Sequence, residues 1–352
     1  MDSVDILIVG GGIAGLSTAC HLAKAGAGKV LLLDREAVPG FYASGHNAGI
    51  ARQMTGRIEH SRLAKEGRDR LAEAGLLQAT GGLLLAAEAG ALGALESEAR
   101  ALGIEATLHP GAGLPGLRAA EHLAIPSDGV IDTHGLLGLC ANQAREGGVK
   151  LRYACDLEAV VPLEHGFEVQ TSEGLLRTRV LVNAAGAWAG ELGRRAGGLD
   201  LELKPMRRHL VWSDQPMDAT APWAWWVDRP LYLRPESGGV LLCPCDEDEV
   251  PLPRPGVQPE MDPEAVASLG PSVEALAPQL GDLPLIRAWS GLRSFAPDRR
   301  FVIGWDPVNP DLFWVAGLGG HGMTTGLAVG RLAAELLLQG GSHALSPSRF
   351  AF

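Results

Sequence analysis

The chain is short of basic charge. Its 352 residues include 30 lysines and arginines against 41 aspartates and glutamates, a formal net charge of −11. That balance argues against a nucleic acid or an anionic membrane as partner. It does not argue against a small anionic substrate, because a local arginine dominates its own pocket. Long apolar runs are also missing. No stretch approaches the roughly 18 consecutive apolar residues of a membrane span, and the N-terminus begins directly with a strand, so neither a transmembrane helix nor a cleaved signal is expected. Cysteine is sparse: Cys20, Cys140, Cys155, Cys243 and Cys245 are five in number and form no CxxC pair. Cys243-Pro244-Cys245 has no histidine nearby, so it reads as neither zinc site nor redox pair. A reduced, cytoplasmic protein without a metal site is the expectation. Internal repeats and long low-complexity tracts are absent too.

Glycine is what the chain has in quantity, 47 residues. Gly10-Gly11-Gly12-Ile13-Ala14-Gly15 follows an apolar run at 4–9 and precedes a helical pattern ending near Ala25. In this Gly-x-Gly-x-x-Gly the first glycine permits a tight turn and the second lets backbone approach a pyrophosphate. The third lets the helix pack closely on the strand. The helix then aims its unpaired N–H groups and positive dipole end at the phosphates. A second apolar strand, Val30–Leu33, ends at Asp34, nineteen residues past Gly15. A carboxylate there is placed for a ribose 2′-hydroxyl. Strand, glycines, helix, strand and acid in register predict a site for an ADP-containing cofactor.

The length suits about two domains. After Asp34 a small, glycine-rich stretch at 43–49 reads as backbone brought against a flat ring, or in isolation as a plain loop. Helical patterns follow at 58–77, 91–102 and 133–146, then a strand at 149–153. Strands at 167–171 and 176–179 look like a small antiparallel excursion, and 180–189 like another buried strand running into small residues. From 201 to 292 strand-like pieces, prolines and acidic loops dominate. Trp223, Trp225 and Trp226 cluster there, and one helix is expected at 263–276. Buried strands return at 301–303 and 312–316. Gly317 to Gly326 is then a second glycine-rich turn, leading into a last helix at 327–338. The expected fold is α/β, with a discontinuous nucleotide-binding domain (1–78, 134–200 and 296–352). A mostly antiparallel second domain (79–133 and 201–295) is inserted into it.

The order of these motifs resembles the D-amino-acid oxidase superfamily of FAD enzymes, whose members act on glycine, sarcosine and D-amino acids. The matching stretches are 8–15, 43–49, 182–190, 232–236, 291–298 and 316–326, nearly the whole chain. Leu-Arg-Pro-Glu, Gly-Leu-Arg-Ser-Phe and Arg207-Arg208-His209-Leu210 are most similar to the D-amino-acid and D-arginine dehydrogenase branch. His46 stands where many relatives have arginine after the Ser-Gly pair. The 317–326 turn lacks the cysteine of the covalent-flavin sarcosine oxidases. The resemblance therefore implies FAD held without a covalent bond, in a Rossmann-like domain with an inserted substrate domain. It implies cofactor contacts at Gly10, Gly12, Ile13, Ala14, Gly15, Asp34 and Arg35, and in the loop Ser44, Gly45, His46, Asn47 and Ala48. Further contacts are implied at Ala185, Gly186 and Trp188, and at Gly319, Gly320, His321, Gly322, Met323 and Thr324. Val160 resembles the position whose backbone meets the adenine side.

The activity so implied is oxidation of the carbon–nitrogen bond of a small amino acid, of the D-amino acid or glycine/sarcosine type. Hydride passes to flavin N5 and leaves an imine, which hydrolyses to a 2-oxo acid. The electron acceptor is left open between oxygen, a quinone and a protein. Such chemistry needs a carboxylate anchor, and arginine suits it through its two-pronged donors. Arg293 and Arg234 are the candidates, with Tyr232 on the same strand face as Arg234; otherwise Arg234 pairs with Glu236. Gly291 is expected to leave room for a ligand beside Arg293. His46 either bonds flavin or substrate or caps its loop. The His321 side chain either contacts the flavin or is incidental. The tryptophans either wall a side-chain pocket or pack the second sheet, and Arg207, Arg208 and His209 read as a solvated strand start, with a catalytic base as the alternative. Two rivals remain: a 2-hydroxy-acid or glycerol-phosphate dehydrogenase on the same fold, and a flavoprotein subunit of a larger dehydrogenase complex.

Overall fold

Two large sheets, each drawn from distant parts of the chain, meet around one elongated cavity in the computed structural model, which describes residues 2–281 and 283–351. The first sheet has eight strands. Asp2–Val9 lies inside it, parallel to Val30–Leu33 on one side and Gly174–Asn183 on the other, with Ile8 opposite both Leu32 and Val182. These strands are apolar throughout because both faces are covered. Ile8, Leu32 and Val182 pack toward the helices Ile13–Lys24, Thr133–Glu146 and Gly322–Gln339. Leu7, Leu31 and Leu181 face Leu192 and Trp314 on the other side.

Gly174–Asn183 is one strand, not the two pieces expected at 176–179 and from 180 onward. Its first half pairs antiparallel with Phe167–Thr171, and its end joins Leu312–Ala316 in parallel. The pattern changes from alternating to apolar because the neighbour changes, and the backbone does not break.

The second sheet has nine strands and is mostly antiparallel. Arg287–Phe295 runs along the whole of Lys204–Ser213, with Arg208 opposite Gly291 and Met206 opposite Arg293. Tyr232–Glu236 lies between Trp223–Trp226 and Gly239–Cys243, so Tyr232 is opposite both Trp225 and Cys243. One parallel pair, Trp223–Trp226 with Gly82–Ala86, brings earlier chain into the sheet. Trp223 and Trp226 are fully buried core, whereas Trp225 turns to the cavity face. A third sheet of Ile50–Ala51, Gly129–Ile131 and Leu77–Gln78 lies beside the cavity.

Several helix boundaries differ from expectation for local reasons. Ile58–Glu73 stops short of 77 because Gly75 adopts a φ of +69° and the chain turns into the Leu77–Gln78 strand. The helix expected over 263–276 is split into Pro263–Ala267 and Leu269–Leu276. The Pro271 ring would clash with the Ala267 carbonyl in a continuous helix. The last helix begins at Gly322, ahead of the expected 327. Gly326 and Gly330, one turn apart, press against the first helix: a Cβ on them would lie 2.4 Å from Ile13 Cγ1 and 2.0 Å from Ser17 Oγ. Residues that read as a flexible turn are a helix-packing face. Among the described residues, no helix is long and apolar enough to cross a membrane.

Candidate active site

The cavity has two lobes. The first, of 360 Å³, opens where the Asp2–Val9 strand meets the first helix, and Gly10, Gly12, Asp34, Arg35, Ser44 and Trp188 are among its lining. Gly10 has a φ of +118°, and a Cβ there would sit 2.2 Å from the Ala184 carbonyl oxygen. At Gly15 a Cβ would lie 1.9 Å from the Gly10 carbonyl oxygen, so the helix comes down directly on the strand end. First-turn N–H groups lack intrahelical partners; that of Ile13 donates to Ser44 Oγ at 3.0 Å. Asp34 accepts from the backbone N–H of Gly11 and, at 2.7 Å, of Glu36. Burial raises the Asp34 carboxyl from its ordinary pKa, and those two N–H groups oppose the rise. Arg35 lies 4.0 Å over the Trp188 ring. Bare backbone at a helix N-terminus, a fixed carboxylate and a stacked ring fit the adenosine diphosphate half of FAD.

The second lobe, of 370 Å³, abuts the first, sharing Gly12, Ala43, Ser44, Ala184 and Gly186. Ile13 and Ala14 lie at its floor, the loop His46–Ile50 at one side and the turn Gly317–Thr324 at another. His321 stands at the N-terminus of the last helix. Burial, reinforced by the charge of Arg52, holds its pKa down at about 3, so the ring is neutral. His60 stacks on Phe301 with centroids 3.8 Å apart, and its Nε2 accepts the Phe301 N–H at 3.2 Å. Burial likewise lowers its pKa to about 4. Thr324 Oγ1 donates to the Ile50 carbonyl at 3.1 Å, tying the turn to the loop. A planar slot bounded by small residues and a helix N-terminus fits a flavin ring.

The remaining wall comes from the second sheet. Arg208 faces Gly291 across the strands, and Arg293 is two residues further along, so both guanidinium groups emerge on one face. Arg293 donates to Glu247 at 2.8 Å, and Arg299 holds the same carboxylate at 2.7 Å. Among the described residues, the buried Arg293 Nε has no hydrogen-bond partner, nor has His46 Nδ1. Burial, with the neighbouring Arg208 charge, lowers Arg293 to about 10, so it stays protonated at neutral pH. Arg208 donates to the Asp246 carbonyl at 2.6 Å and points Nη1 at Cys243 Sγ, 3.8 Å away. Burial would raise the Cys243 thiol, but Cys245, Arg208 and Tyr232 together hold it down at about 6. Tyr232 is buried with its ring centroid 4.4 Å from that of Trp225. The Arg52 guanidinium lies 4.5 Å over the other aromatic partner, the Trp225 ring.

Several expected residues are elsewhere. Arg234 shares a face with Tyr232 but does not line either lobe. It donates to the carbonyls of Ala48 and Pro235 and pairs with Glu236 at 2.5 Å, so it braces the cofactor loop and makes no clamp with Arg293. Val160 is packed in the core; Cys155, Asp156 and Leu157, at the start of its strand, line the first lobe instead. The space beside Gly291 is filled by the His46 backbone, whose oxygen would be 2.5 Å from a Cβ there. Gly15 and Gly45 serve packing, the latter against the Gly40 carbonyl. His46, Asn47, Ala48, Gly186 and the residues Gly319–Thr324 line the second lobe, and Ala185 and Trp188 the first.

The strand start at 207–209 is not solvated. Arg207 bonds Asp262 at 2.9 Å, and His209 lies buried between Asp246 at 2.7 Å and the Asp262 N–H at 2.9 Å. Arg208, Arg52 and His60 line the second lobe without having been expected there, and Trp225 lines it as one of the two readings of the tryptophans allowed. Nothing in the sequence pattern marks Arg208; only the strand order that sets Gly291 opposite it does.

A model of the family described as FAD dependent oxidoreductase matches residues 5–336. The chain is 27% identical over 380 aligned residues to the mitochondrial dimethylglycine dehydrogenase of Rattus norvegicus, covering 96% of this chain and 43% of that protein. It is 28% identical to the formaldehyde-forming 4-methylaminobutanoate oxidase of Paenarthrobacter nicotinovorans, covering 99% and 46%. The chain thus spans less than half the length of these curated relatives. Among solved structures, L-proline dehydrogenase from P. horikoshii has the same fold, with a TM-score of 0.87, 22% identity, and 99% and 98% of the two chains covered.

Proposed function

The chain belongs to the FAD dependent oxidoreductase family, and we propose that it oxidises the carbon–nitrogen bond of a small amino acid. The D-amino acid and glycine/sarcosine types are the substrates meant, with FAD held non-covalently in the first-sheet domain and the substrate on the second sheet. The observation carrying this reading is the Arg208–Arg293 pair, buried on the wall of the flavin lobe beside Tyr232. The likeness to a dimethylglycine dehydrogenase and a 4-methylaminobutanoate oxidase supports an amine that bears a carboxylate.

FAD, when bound, supplies the hydride acceptor. The rest falls to the chain. Arg293 and Arg208 take the substrate carboxylate, Arg293 with two donors in one plane. The Tyr232 hydroxyl lies on the same face and fixes its orientation. No aspartate or glutamate lines the lobe, while Arg52, Arg57, Arg208, Arg293 and Arg299 do. An ammonium entering that field is destabilised, so the bound amine is kept neutral with its lone pair free. His60 and His321, held unprotonated, add no charge that would repel or trap it.

The test is anaerobic bleaching of the yellow holoprotein by a panel of amino acids, 2-hydroxy acids and glycerol phosphate. Bleaching by amino acids is expected. Bleaching by hydroxy acids alone would replace this reading with the dehydrogenase of an alcohol, and bleaching by none of them with an electron-relay subunit.

A further inference from the structure

The second lobe has more positive charge than one carboxylate uses, and the surplus sits at Arg52. Arg52 follows the Ile50–Ala51 strand, and its Nε donates to the Met54 carbonyl at 2.7 Å. Of the other arginines lining the lobe, Arg293 and Arg299 share Glu247, Arg208 is held by the Asp246 carbonyl, and Arg57 is exposed to solvent. Arg52 has no carboxylate within 4.0 Å among the described residues; Asp128 and Glu98 act on it only from farther off, and its charge rests on the face of Trp225. A half-buried guanidinium stacked on one ring keeps most of its desolvation cost unless an anion joins it. No acidic residue among those described lines the lobe, and the nearby His321 is neutral. The cationic surplus is local, in a chain whose net charge is −11. Trp225 stacks in turn on Tyr232, so Arg52 stands on the wall that carries the carboxylate anchor, displaced along it.

We infer that Arg52 forms a second anion subsite, and that the substrate is an amino acid carrying a second carboxylate on its side chain or its nitrogen substituent. This rests on the proposed function, with Arg293 and Arg208 taking the first carboxylate. The ring of Trp225 lies along the connecting carbon chain, and Arg52 reads the far end.

Isosteric acid pairs test it on the flavin-loaded enzyme, with binding followed by the change in flavin absorbance: succinate against butyrate, and glutarate against valerate. The dicarboxylates should bind about tenfold tighter or better, the order expected for one added charge pair in a partly desolvated site. Arg52→Gln should remove that preference, weakening each dicarboxylate about tenfold more than its monocarboxylate partner, while Arg52→Lys should keep part of it. Equal binding of the two members of each pair by the parent enzyme, or binding of neither, overturns the inference; this needs no variant and decides the matter should Arg52→Gln fail to load flavin. An equal loss for both members in Arg52→Gln also overturns it, assigning Arg52 to the cofactor or the fold. Turnover of monocarboxylic amino acids with no gain from a second carboxylate removes this inference and leaves the proposed function standing. Failure of every amino acid to bleach the enzyme removes both.

Discussion

The two lobes of the cavity are built by different means. The nucleotide lobe is mostly backbone: glycines 10 and 12, the N-terminus of one helix, and one carboxylate fixed by two N–H groups. The flavin and substrate lobe is mostly side chain, with arginines delivered by separate strands of a sheet. A backbone site is intolerant of added atoms and indifferent to charge. A side-chain site tolerates changes of shape and fails when a charge is lost. Each prediction below presses on one side of that contrast.

The largest effect should come from one added methyl. Gly10→Ala puts a Cβ against the Ala184 carbonyl at a φ of +118°. Protein purified from this variant should contain almost no flavin by absorbance; normal loading would mean the turn is looser than its geometry.

Arg293→Ala should load flavin normally and lose about 2–5 kcal/mol of substrate interaction, the range for truncating one partner of a buried charge pair. At about 1.4 kcal/mol per tenfold, kcat/KM falls by about thirty-fold to several thousand-fold. An amine lacking the carboxylate should lose far less. Equal losses on both would move Arg293 from the substrate to the fold.

Acid should expose the difference next. His60 lies at the substrate lobe with a native pKa near 4 against an ordinary 6.5, lowered by burial. Above pH 6.5 neither the native nor the unfolded form holds the proton, and stability is unaffected. Between 6.5 and 4 the unfolded chain takes up a proton that the native chain refuses, because it would break the bond from the Phe301 N–H. Stability contributed by the neutral ring is therefore lost as pH falls, by up to about 3 kcal/mol. Thermal melts from pH 7 to pH 4 check this: His60→Gln should flatten the decline, and parallel curves would refute it.

Asp34→Ala removes the carboxylate proposed to meet the ribose. FAD should bind about 1.5–3 kcal/mol more weakly, measured by flavin loss on dilution, with the order of substrate preference unchanged. A shift in that order would link the lobes more tightly than their construction suggests.

Legibility in the sequence follows the same division. Where a feature depends on neighbours in the chain, the pattern carried it: Val30–Leu33 and Phe167–Thr171 lie as expected, as does the Thr133–Glu146 helix with Asp132 capping it through Gly135 N–H at 2.8 Å. Where it depends on strand order, the pattern was silent. Arg208 looks solvated until Gly291 is placed across from it, and Arg52 looks like any loop arginine until Trp225 arrives from far along the chain. Arg234 shows the reverse error. Its alternation with Tyr232 is real, but a long side chain on the correct face reached past the cavity to Ala48.

The Glu247 carboxylate, shared by Arg293 and Arg299, has a kinetic meaning. With Arg293 as the proposed anchor, an arriving substrate would not enter an empty seat but would exchange with a resident carboxylate on the same guanidinium. Binding then reports the difference between two similar ion pairs, so the net affinity is modest and the departing product is helped out by the returning side chain. Such a site resembles a revolving door more than a trap, favouring rapid release over long occupancy. Glu247→Gln should accordingly tighten a carboxylate inhibitor by a few fold, roughly 1 kcal/mol or less, while slowing its dissociation in stopped-flow traces. Faster dissociation would show that Glu247 steadies the arginines and does not compete for them.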